Sequence, residues 1–250
     1  MSVDLSALVV AHNEEKQLAA CLESLKFADQ IVVVLDKCTD GSKEIAENFN
    51  AKIIEGNWPI EGDRRNIGLD ACDGSWIIEL DADERVTPEL AKEISKTLPN
   101  TTAGHFLLPF DNYVGSRLVR YGWGCSWGVS AAPRLHKKGN KRWGRQRVHP
   151  SIELLGKRQE MVGRIDHYVD RNISDMIKRL DSYTSAKAKD LRDHPDGVGY
   201  ARNIRRFFSR FIKCYYGRKG YKEGKYGFLI ALMAGLYPII SYLKANLEEE

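Results

Sequence analysis

The stretch that decides the fold is SWIIELDADERVTP, Ser75 to Pro88. Trp76, Ile77, Ile78 and Leu80 form a short apolar run of the kind a sheet buries on both faces. It ends abruptly on Asp81, Asp83 and Glu84, with only Ala82 between the first two. Acids crowded in this way repel one another, so the arrangement persists where a metal cation, an arginine or a proton settles the charge. Pro88 then stands where a proline starts a helix, with Leu90, Ile94 and Leu98 on one face.

Upstream, LSALVVA and QIVVVLD read as two buried strands separated by Leu18, Cys21, Leu22 and Leu25 at helical spacing, which is a βαβ unit. TDGSKEIAENF supplies a turn and a short helix, KIIEG a third strand and RRNIGLDAC a further helical stretch before the strand that ends at the acids. Strands alternating with helices specify an α/β fold with a mostly parallel sheet covered on both faces. Ligands of such sheets bind outside the carboxyl ends of the strands. Asp36, Asp81 and Asp83 all fall at or just beyond strand ends, so they can converge on one crevice.

The chain of 250 residues is long enough for one large α/β domain, or one domain with an appendage. Its 43% hydrophobic and 29% charged content is ordinary for a soluble globular protein, so disorder is not the default. Cys21, Cys38, Cys72, Cys125 and Cys214 are odd in number and scattered, without C-x-x-C spacing, which argues against a disulfide framework or a zinc site and for reduced thiols in a cytoplasm. Leu5 to Ala11 is apolar but lacks a basic flank and runs into HNEE, so it does not read as a secretory signal.

The net charge of +4 is uneven, because Ala201 to Lys225 carries nine Lys or Arg against one Glu. In RNIRRFFSRFIKCYY, Ile204, Phe207, Phe208, Phe211, Ile212 and Tyr215 fall on one helical face, with Arg202, Arg206, Arg210 and Lys213 on the other. That is the pattern of a helix lying in an anionic membrane interface; the competing reading docks the apolar face on the catalytic domain. YGFLIALMAGLYPIISY contains Pro238 and is borderline in length for a span, so it reads as interfacial or buried. No nucleic-acid motif appears, and oligomeric state is not specified. Between these regions GHFLLPF reads as a strand, VGSRLVRYGWGCSWG is rich in Gly and aromatics, and Ile173, Met176, Ile177, Leu180 and Thr184 mark a helix.

Four landmarks in order resemble glycosyltransferase family 2, the inverting sugar transferases of GT-A fold: VVAHNEEKQLAACLESL, VVVLDKCTDGS, RRNIGLDAC and DGSWIIELDADERVTPEL. RVHPSIELLG, IDHYVDRNISDMIKRLDSYT and the basic aromatic tail resemble the branch that builds the lipopolysaccharide core. The resemblance implies a GT-A, Rossmann-like catalytic domain over residues 1–170. Residues 1–100 would bind a nucleotide sugar and 101–170 the acceptor, with a helical, membrane-associating extension over 171–250. It further implies a metal-dependent, hexosyltransferase-like enzyme, peripheral on the cytoplasmic face of the cell membrane, using a UDP-sugar and a glycolipid acceptor.

Asp83 resembles the metal ligand of this family and Asp81 the ribose and metal-shell contact, the ion being Mg²⁺ or Mn²⁺ because the ligands and the diphosphate are oxygen-rich. Glu14 and Asp36 resemble the contacts to the base, and Arg65 and Asn66 the pair beneath the nucleotide. Glu15 reads as a solvated helix turn and Asp40 as a helix cap. Inversion needs a general base, usually a carboxylate. Where the branch reads V-H-E this chain reads VHP, with Pro150 in the acid's place. Glu153 and Asp111 are the candidates for the base, and spacing does not choose between them. His149 is a candidate ligand for the metal or diphosphate, whereas His167 reads as a packed or hydrogen-bonded residue. A sugar nucleotidyltransferase would place a Gly-rich loop where AHNEE stands, and loss of the base would leave a non-catalytic membrane-surface nucleotide- or glycan-binding protein.

Overall fold

A computed structural model describes residues 4–124, 127–146, 150–193 and 199–248. The chain begins β1 (Leu5–Ala11), α1 (Leu18–Ser24), β2 (Gln30–Asp36), α2 (Ser42–Asn48), β3 (Lys52–Gly56), α3 (Glu61–Ala71) and β4 (Trp76–Asp81). β1 is buried along its whole length and pairs in parallel with β2 on one side and β4 on the other, while β2 pairs in parallel with β3. The order β3-β2-β1-β4 puts the carboxyl ends of β1, β2 and β4 at one edge. This follows from sequence, since strands buried on both faces read as unbroken Val, Ile and Leu runs.

β5 (Glu84–Val86) and α4 (Pro88–Thr97) follow. Thr87 caps α4 by accepting from the Leu90 amide at 3.2 Å, and the helix buries Leu90 and Ile94. The chain continues through β6 (His105–Val114), β7 (Arg117–Val119), β8 (Ala131–Lys137), β9 (Lys141–Trp143), β10 (Ile152–Leu154), β11 (Arg158–Glu160) and β12 (Ile165–Asp170). β8 runs antiparallel to both β4 and β6, so the sheet that began parallel becomes mixed. β11 joins β6 in parallel, β12 pairs with β5, and β9 and β10 form a separate ribbon.

Two compact units result: Met1–Phe110 with Ala131–His167, and Asp111–Ser130 with Tyr168–Glu250. The second holds α5 (Ile173–Asp193), α6 (Tyr200–Ile212) and α7 (Lys225–Leu247). Its core gathers Trp123, Trp127, Met176, Leu180, Cys214, Ile230, Ala234 and Tyr237.

Close approach to α7 depends on two glycines. A Cβ on Gly227 would overlap the Gly220 carbonyl, and one on Gly235 would press on Phe207. α7 is long and apolar enough to cross a membrane by length and composition, and half of its apolar window is buried within the chain.

Candidate functional site

The site is built in the first unit, where β4 delivers Asp81 into the turn that leads to β5. Arg85 braces that turn: its Nη1 donates to the carbonyls of Ala82 and Glu84, both at 2.7 Å, and its Nη2 donates to that of Gln17 at 2.8 Å. The question posed by the clustered acids has a concrete answer. Arg65, from α3, donates to Asp81 Oδ1 at 2.8 Å and to Glu61 at 2.8 Å. Arg134, from β8, bridges Asp81 Oδ2 and Glu84 Oε1. His167, from β12, stands 3.4 Å from Asp83 Oδ2.

These partners split the behaviour of the acids. Burial favours the neutral form of Asp81, but Arg134 and Arg65 outweigh it and hold the carboxyl well below the usual range. Glu84 is fully buried, and burial, with Asp81 and Asp83 adding and Arg134 opposing, pushes its carboxyl up to about 7. Burial lowers His167, but the hydrogen bond and charge of Asp83 with the charges of Glu84 and Asp81 raise it on balance. Asp83 keeps its side chain a third exposed.

Glu14 lies in the same field. Burial raises its carboxyl, Asp83, Asp40 and Asp81 raise it further, and His12 opposes them. Its loop follows β1 through Asn13, which takes the left-handed conformation (φ 56°) that asparagine tolerates. Asn13 Oδ1 accepts from the Thr39 amide at 2.8 Å, the Glu14 amide donates to Ser42 Oγ at 3.0 Å, the Glu15 amide donates to Asp40 Oδ2 at 3.0 Å, and Glu15 Oε2 accepts from the Gly41 amide at 3.1 Å. Asp36, at the end of β2 and nearly buried, accepts from the Trp58 amide at 3.0 Å and Arg64 Nη1 at 2.7 Å.

Beneath Asp81 on the same strand face, Glu79 is buried and binds three groups: His136 Nε2 and Lys141 Nζ at 2.9 Å and the Trp143 indole at 3.0 Å. Burial would raise Glu79, but Lys141, His136 and Arg65 hold it well below the usual range, while burial pulls Lys141 down to about 8. Arg65 lies over the Trp143 ring at 4.7 Å. Asn66 spends both ends of its amide on the Trp143 backbone, at 2.9 and 3.0 Å, and so pins β9 against α3.

Arg65, Asp81 and Asp83 therefore come together at the end of β4, with Glu14 in the loop after β1 and Asp36 at the end of β2. Glu153 is an exposed residue of β10 opposite Arg142. Asp111 is buried in β6 where the second unit begins. His149 lies outside the described residues.

Sequence reasoning missed Arg134 and Glu84, and did not name Asp83 as the partner of His167. The available signal was Arg134 within the strand AAPRLHK, where a charged residue among small and apolar ones needs a partner. Among the described residues, no group of three or more His, Cys, Asp or Glu side chains forms a ready metal cage.

The family model described as "Glycosyl transferase family 2" matches residues 6–151. The lipopolysaccharide core biosynthesis glycosyltransferase LpsC of Rhizobium meliloti (strain 1021) is 25% identical, over 96% of this chain and 91% of that protein. The uncharacterized glycosyltransferase RT0209 of Rickettsia typhi is 24% identical, over 92% of this chain and 82% of that protein. Among solved structures, S. aureus TarS 1-349 in complex with UDP superposes with a TM-score of 0.52 at 13% identity, over 96% of this chain and 90% of that one. The same protein in complex with UDP-GlcNAc gives 0.51 at 13% identity, over 94% and 81%. At these identities the structural likeness concerns the fold.

Proposed function

The chain belongs to glycosyl transferase family 2, and on that premise we propose that it is an inverting enzyme that moves a sugar from a UDP-sugar to a glycolipid acceptor of lipopolysaccharide-core type. One observation carries the donor reading: Asp83 stays a third exposed beside an ionised Asp81 whose charge two arginines balance, within the field of Glu14. A diphosphate brought there meets carboxylates that can share a hard cation with it.

The donor set fits such a cation. Mg²⁺ and Mn²⁺ are held by one or two carboxylates plus substrate phosphates more often than by all-protein cages, so the lack of a preformed cage among the described residues agrees with the reading. Asp83, with Asp81, would hold the ion, which would supply Lewis-acid stabilisation of the phosphate charge as the glycosidic bond breaks. Arg65 and Arg134 cancel the charge of Asp81, so the site does not repel the diphosphate as strongly as three adjacent acids would. His167 orients Asp83 from behind.

Asp36 and Glu14 face the nucleoside in this reading. A carboxylate has about four acceptor sites, so Asp36, with two engaged, can still accept from a base N–H. Asn66 acts by holding Trp143, which in turn stacks on Arg65. Glu153 and Asp111 remain the two carboxylates proposed to take the acceptor proton, a role that contributes on the order of 10²–10⁴-fold.

Thermal melting with UDP-sugars, with and without Mn²⁺, tests the assignment. UDP is expected to raise the melting temperature with Mn²⁺ in the natural chain and not in Asp83→Ala; an equal shift in both removes Asp83 from metal binding. Pro150 supports a second reading, a nucleotide-binding protein without turnover. UDP binding with neither donor hydrolysis nor transfer to a lipid extract selects it.

A further inference from the structure

The basic, aromatic segment after Gly199 divides into two faces, which differs from the single apolar face expected from sequence. Asn203 and Cys214 are buried, Phe211 packs against the core of the second unit, and Phe207 fits over Gly235. This face docks on α7. Arg210 goes with it and lies over the Tyr237 ring at 5.8 Å, so it is not part of a solvated polar face.

The other face stays uncovered. Phe208, Ile212 and Tyr216 are 58, 54 and 63% exposed, and at helical spacing they form one line. Phe228 at the start of α7 and Tyr221 just before it are 50 and 48% exposed. Tyr215 joins them, with its ring centroid 5.1 Å from Tyr216, 6.5 Å from Tyr221 and 6.3 Å from Phe228.

Arg202, Arg205 and Lys213 are exposed along the same flank. Glu223, the one acid of the segment, is engaged by the Arg120 and Tyr121 amides at 2.8 and 3.2 Å and paired with Arg117. Single exposed apolar residues are ordinary, whereas a joined patch edged by cations marks an interaction surface.

We propose that this face of α6, with Tyr221 and the first turn of α7, docks on an anionic phospholipid bilayer. Ile212 and the rings enter the boundary between headgroups and acyl chains while the three cations meet the anionic headgroups. Charge complementarity selects this occupant. A second copy would bring the same cations against themselves. A nucleic acid would stack bases on separated rings, whereas here Ile212 makes the line one continuous apolar stripe. The proposal is independent of the donor chemistry, so failure of either leaves the other standing.

The test floats the full chain with phosphatidylcholine vesicles, with and without about 30% phosphatidylglycerol. Flotation is expected with the anionic vesicles alone, weakening as salt rises. Arg205→Glu with Lys213→Glu should reduce binding at least about tenfold, and Phe208→Ser with Ile212→Ser likewise, both with unchanged circular dichroism melting; Tyr216→Ser is the alternative if the serine pair melts early. Absent flotation, equal flotation with neutral vesicles, or binding that neither pair reduces overturns the proposal. So does a dimer by light scattering that Phe208→Ser dissolves, or oligonucleotide binding lost in Arg205→Glu where vesicles do not bind.

Discussion

The cluster around Asp81 in the first unit and the open face of α6 in the second place their charge in opposite ways. In the first, Arg65, Arg134, Glu79, Glu84 and Lys141 are buried and committed at hydrogen-bond distance: Arg65 to Asp81, Arg134 to Glu84 and Lys141 to Glu79. In the second, Arg202, Arg205 and Lys213 stand in solvent beside exposed rings. Buried charge must be paired where it sits and so fixes geometry, which a site for a diphosphate needs; exposed charge costs little and stays available to a partner.

The largest expected effect breaks the buried side of this contrast. Arg134→Ala would leave Asp81 and Glu84 facing each other without their shared cation. Urea unfolding should show a loss of about 3–5 kcal/mol, partly restored by adding Glu84→Gln. A loss below about 1 kcal/mol would mean water already solvates the cluster.

Next comes pH. Glu84 is raised to about 7 from 4.5, so the folded chain holds a proton the unfolded chain has released. Its stabilising contribution is therefore complete below pH 4.5 and lost as pH rises through 7, the reverse of a salt-bridged acid. Between pH 5 and 8 the natural chain should lose on the order of 2–3 kcal/mol that Glu84→Gln does not lose. Parallel curves would place the proton elsewhere.

Smaller effects belong to the second unit. Gly235→Ala should cost about 1–3 kcal/mol by pushing α6 off α7 at Phe207; a neutral result would show that the interface gives way easily. Arg205→Glu with Lys213→Glu should change unfolding stability by less than about 0.5 kcal/mol while removing vesicle binding. A large destabilisation there would erase the contrast.

The parallel strands and the acids at their ends were legible because a strand buried on both faces writes an apolar run, and a run ending in carboxylates is visible without knowing its neighbours. α4 was legible through Pro88 and its apolar face. The partners were not. Arg134 is 53 residues from Asp81 in sequence, and nothing local says which acid it meets. Asn66 was legible as part of an Arg-Asn pair, yet its contacts are to the backbone of Trp143, a pairing created only when β9 lies against α3. The tail was half legible: periodicity gathered its apolar residues on one side, and only α7 divided them into covered and uncovered.

By itself, then, the sequence determined which residues would be buried in strands and where negative charge would accumulate, since both are set by nearest-neighbour pattern and the geometry of a strand. Tertiary structure alone decided how that charge is balanced, which acid keeps a proton and which face of α6 remains open. Those outcomes depend on desolvation and on distances between residues far apart in the chain, and neither quantity exists until the chain has folded.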